Sequence, residues 1–135
     1  MKSAVEIRVA EAYERNVRLV ISVSAHPVDV SIEALLSALA PKILAERLRR
    51  FPKHSADFLC ARFRNTGGDS VLLRFDPLET DSARVEIRFE PVATSRNPAR
   101  DTFTATTDRA ALNRFIHDLQ LMHTSGDCAR LELAV

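Results

Sequence analysis

Apolar and polar residues alternate along most of the chain, with helical spacing breaking in twice. Val5, Ile7 and Val9 alternate with Glu6, Arg8 and Ala10, the period of a half-buried strand. Val17, Leu19, Ile21 and Val23 repeat that period after the polar break Glu14, Arg15 and Asn16. The pair predicts an opening hairpin, whose second strand ends at His26 and Pro27 because proline lacks the ladder donor. Ser31 then reads as a helix N-cap, with Ile32, Leu35, Leu36 and Leu39 at helical spacing behind it. Pro41 interrupts before Ile43, Leu44, Leu48 and Phe51 resume the stripe. The spacing predicts two short helices or one kinked helix, ending near Phe51 and Pro52.

A meander follows. Leu59, Ala61 and Phe63 alternate, Asn65 to Asp69 is a turn signal around Gly67 and Gly68, and Val71, Leu73 and Phe75 alternate again. After a turn near Asp76 and Pro77, Val85, Ile87 and Phe89 alternate with Arg84, Glu86, Arg88 and Glu90. Thr94 to Arg100, with Pro98, reads as a loop, and Thr102 to Thr106 as a shorter strand. Thr107 or Asp108 can cap a last helix that places Leu112, Phe115, Ile116, Leu119 and Met122 on one face. Gly126 is expected at its C′ position, and Leu131, Leu133 and Val135 predict a final strand. The order ββαβββ(β)αβ predicts a single α+β domain over residues 1–135. Its mainly antiparallel sheet would have about six to seven strands, with two helical segments on one face. No internal repeat is visible in the sequence.

Composition narrows the function classes. With 19 Lys+Arg against 18 Asp+Glu, the net charge of +1 supplies no field drawing the protein to nucleic acid or anionic membrane. Sixteen of those basic residues are Arg, spread along the chain in a way that fits a GC-rich coding bias better than one binding surface. Two cysteines, Cys60 and Cys128, form neither a disulfide framework nor a CxxC spacing, which points to a reducing, cytoplasmic setting. The charge-interrupted start lacks the apolar run of a signal peptide, and no window predicts a membrane span.

Candidate chemistry is sparse. His117 and His123 are spaced to point apart on a helix, and no HExxH pattern exists, so no metal is predicted. His117 with Asp118, and His54 with Asp57, lack an identifiable catalytic partner, and neither a GxSxG elbow nor a recognised Cys-His spacing occurs. With three glycines the chain writes no phosphate cradle, and no cofactor is predicted. The most uneven charge runs from Lys42 to Arg64. There Arg47 and Arg50 can share a helix face, and Arg62 and Arg64 a strand face. If those faces adjoin, they form a basic patch suited to an acidic protein or to phosphates. The alternating Arg84, Glu86, Arg88 and Glu90 are the second candidate surface. Without Trp and with one Tyr, the stacking platforms of a nucleic-acid binder are scarce.

Leu112-x2-Phe115-Ile116-x2-Leu119 followed by Gly126-x-Cys128-Ala129-x-Leu131, behind alternating strands, resembles small immunity-type domains of bacterial polymorphic-toxin systems. The resemblance covers residues 70 to 135 and implies a non-catalytic protein that neutralises a partner toxin by binding it. It assigns no site residue, because no polar motif is shared. The leading expectation is a non-enzymatic bacterial protein-binding domain, an immunity or secretion-accessory protein, using Arg47, Arg50, Arg62, Arg64, Arg84, Glu86, Arg88 and Glu90. The alternatives are an enzyme or small-ligand protein, with His26, His54, His117 or Asp118 converging on an Arg between sheet and helices, and a homodimer joined through its sheet.

Overall fold

The computed structural model describes residues 3–51, 58–78, 82–92 and 101–134. Among these residues it is an α+β fold with eight strands and two helices: β1 Ser3–Ala12, β2 Asn16–Ala25, β3 Val28–Ser37, α1 Ala40–Arg50, β4 Leu59–Arg64, β5 Ser70–Pro77, β6 Ser82–Glu90, β7 Thr102–Asp108, α2 Arg109–Leu121 and β8 Cys128–Leu133. The sheet expected as one divides into two antiparallel four-stranded sheets, ordered β3-β2-β1-β8 and β4-β5-β6-β7. One contiguous apolar cluster draws on both sheets and both helices. The period-two residues Val5, Ile7, Leu19, Ile21, Leu73, Phe75, Val85 and Ile87 all point into it.

The segment after Pro27 corrects the first expected helix. Val28–Ser37 is a strand with Val28, Ile32 and Ala34 buried and Asp29, Ser31, Glu33 and Leu35 exposed. Ile32, Leu35, Leu36 and Leu39 satisfy helical spacing, but every residue from Asn16 to Ala25 has a β-partner in this segment. The ladder with β2 therefore decides the conformation. The helix starts only at Ala40, with Pro41 in its first turn, where its missing N–H costs nothing. At the other helix, Asp108 is the cap, its Oδ1 accepting the Ala111 N–H at 2.7 Å. Gly126 is not its C′ residue. Met122 is the C-cap, and Gly126, at φ +93°, lies in the following turn and donates its N–H to the Val9 carbonyl at 2.8 Å.

A repeat barely marked in residue identity is plain in the topology. β1-β2-β3-α1-β4 and β5-β6-β7-α2-β8 have the same order, and each half lends its last strand to the other's sheet. Thus β4 pairs with β5, the first strand of the second half, and β8 pairs with β1, the first strand of the first half. The buried stripes of the two helices correspond. Pro41, Leu44, Ala45 and Leu48 are buried on α1, as Leu112, Phe115, Ile116 and Leu119 are on α2. Both end alike, Phe51 N–H donating to the Leu48 carbonyl and Met122 N–H to that of Leu119. Cores specify size and polarity more than identity, so matching burial does not require matching sequence. The one visible trace is Cys60-Ala61-Arg62 against Cys128-Ala129-Arg130, with each alanine buried and each arginine exposed.

The halves differ at their corners. β8 continues to Ala134, which exchanges two backbone hydrogen bonds with Thr106 of β7 (2.7 and 2.8 Å) and so staples the two sheets. β4 instead turns at Asn65, whose side chain accepts the Asp69 N–H at 2.9 Å, into its hairpin with β5.

Candidate charged face of the second sheet

The outer face of β4-β5-β6 brings together six of the eight residues expected to bind a partner. Register aligns them in rows: Arg64, Ser70 and Glu90; Arg62, Leu72 and Arg88; Cys60, Arg74 and Glu86; and, on β5 and β6, Asp76 and Arg84. Two sequence-distant candidates, Arg62 with Arg64 and the β6 alternation, thus become one surface, because β5 pairs with both strands. Arg74 and Leu72 are additions to the candidate face, and Asp76, expected with Pro77 in a turn, instead continues β5, where the ladder pairs it with Arg84. Their signal was the same period-two alternation as β6, interrupted by one apolar residue.

The charges are mutually oriented. Arg62 reaches Glu90 at 3.0 Å, Arg88 reaches Glu86 at 2.7 Å, and Asp76 receives both Arg74 at 3.0 Å and Arg84 at 3.5 Å. Arg74 binds Asp76 through Nε and a terminal nitrogen, and that hydrogen bonding holds its pKa above the ordinary arginine value. The same guanidinium lies 4.3 Å from the centre of the Phe58 ring, which is 56% exposed. Five guanidiniums face three carboxylates, leaving the surface positive, and Arg64 takes part in none of these ion pairs.

Arg47 and Arg50 do not join this face as a pair. Arg47 donates to the Cys60 carbonyl at 2.8 Å and covers the edge of β4, whereas Arg50 pairs with Glu46 on its own helix at 3.1 Å. The acid–base candidates also stay apart. His26 lines an open cleft of about 490 Å³ with Pro27, Val28, Asp29, Val30, Phe89 and Asp101, and among the described residues neither His117, Asp118 nor any arginine lines it. His54 and Asp57, the loop from Thr94 to Arg100, and Val135 lie outside the described residues. No group of three metal-ligating side chains occurs among the described residues. Both cysteines are free thiols, and local desolvation followed by the Glu6 charge pushes the exposed Cys128 thiol above its usual pKa. No described helix is long and apolar enough to cross a membrane. Compared with protein-family models, with curated proteins and with solved structures, the chain matches none.

Proposed function

We propose that this chain is a non-enzymatic, cytoplasmic protein-binding domain that docks an acid-rich protein surface on the outer face of β4-β5-β6. The observation supporting it is the exposed Phe58 ring under the Arg74 guanidinium, beside arginines already held in place by Glu86, Glu90 and Asp76. Aromatic and arginine side chains dominate binding hot spots, and charges fixed before encounter lose less entropy on docking. The immunity-type resemblance of the C-terminal half favours the same class, a protein that acts by occupying its partner.

The experiment is capture from the native cell extract by tagged wild type and by a variant carrying Arg62→Glu and Arg88→Glu. A stoichiometric protein retained by the wild type at low salt, released as salt rises and lost from the variant, is the expected result. A partner retained equally by both proteins overturns the assignment of the face.

A further inference from the structure

We propose that the free edge of β3 receives an extended basic segment of another protein as a fifth strand of the first sheet. β3 is the outermost strand of its sheet and pairs only with β2 among the described residues. The other edges are managed differently: β8 is stapled to β7 through Ala134, and Arg47 covers a β4 carbonyl. Alternate residues of an edge strand send N–H and C=O groups outward, so a ten-residue edge is a template for an added strand.

Charge selects the occupant. Asp29 and Glu33 are exposed on the solvent face of β3, and their β2 partners are Ser24 and Val20, which offer no counter-charge. Among the described residues neither carboxylate has an ion pair, whereas Glu6, Glu11, Asp76, Glu86 and Glu90 each meet an arginine and Asp108 and Glu132 do not. The only remaining cross-strand position is on the open side. A strand there satisfies both carboxylates with Lys or Arg at every fourth residue, and an apolar residue two positions further meets Leu35, 57% exposed. Its inward side chains fall toward Val28, Val30 and Phe89 in the open cleft, so they too are apolar. A second copy of this chain is disfavoured, because its β3 brings the same two carboxylates. This edge belongs to the opposite sheet from the arginine face and does not depend on it.

The test uses the acetylated, amidated peptide LVKVTVKV and its acidic counterpart LVEVTVEV, titrated into the full chain with hydrogen exchange as the positional readout. The basic peptide is expected to bind, to protect the β3 amides, and to weaken by about tenfold or more when Asp29→Lys and Glu33→Lys are combined. The Arg62→Glu and Arg88→Glu variant should bind it as the wild type does. Equal affinity for both peptides, no binding of either, protection away from β3, or a wild-type dimer joined through β3 each overturns the proposal.

Discussion

Arg62 and Glu90 stand on strands that are not neighbours, yet their side chains meet at 3.0 Å across the strand between them. The intervening position, opposite Glu90 on β5, is Ser70, whose short and buried side chain leaves the guanidinium room to cross. Arg62 is 48% exposed, so water screens the pair strongly. A double-mutant cycle with Arg62→Ala and Glu90→Ala should give a coupling of about 0.2–1 kcal/mol that shrinks as salt is raised. A coupling insensitive to salt contradicts a solvent-screened pair.

Leu48 and Leu119 occupy the same position in the two halves, both fully buried. Truncating either to alanine should cost about 2–5 kcal/mol in urea unfolding, because each leaves a cavity beneath a helix that cannot collapse freely. Leu39→Ala, at a site 58% exposed, should change stability by no more than about 0.5 kcal/mol. Tolerance of one buried truncation but not the other would show that the halves share topology without sharing packing.

Gly68 and Gly126 both have positive φ, +95° and +93°. Alanine at either site carries the left-handed penalty of about 1–2 kcal/mol. At Gly68 the new Cβ also comes within 3.3 Å of a Val92 methyl, while at Gly126 nothing lies within 4 Å. Gly68→Ala should therefore lower the melting temperature more than Gly126→Ala, and the reverse order would locate the strain wrongly.

Asp127 Oδ2 accepts the backbone N–H groups of His123 and Thr124, at 3.0 and 2.9 Å, and the Thr124 hydroxyl at 3.0 Å. These bonds hold its carboxyl below the usual pKa. A carboxyl lowered on folding stabilises the native state above its unfolded pKa and loses that effect as pH falls through the folded value. Asp127→Asn should thus melt below the wild type at pH 7, and the gap should close as pH drops below about 4. Thermal melts between neutral and strongly acid pH check it; a gap that widens in acid reverses the sign.

Seven of the eight strands and the second helix are legible as local periodicity, including Asp108 as one of its two expected caps. β3 was not, because Ile32, Leu35 and Leu36 meet helical spacing as well as Val28, Val30 and Ile32 meet strand spacing. Two compatible periods in ten residues leave the decision to a partner strand. The candidate site divides in the same way. Arg62, Arg64 and the β6 charges are legible as strand-face residues and Arg47 and Arg50 as helix-face residues, but only the fold sets the Arg47 guanidinium on the β4 edge and Arg62 on the sheet face.

The chain by itself determined its α+β class, its alternation of inward and outward residues, and most of its turns, because these depend on neighbours a few residues apart. Tertiary structure alone decided that there are two sheets and that the halves exchange their last strands. Those outcomes rest on hydrogen-bonded pairing between distant segments such as Glu6 with Arg130. Periodicity tells a strand which side is buried; it does not tell the strand whose edge it joins.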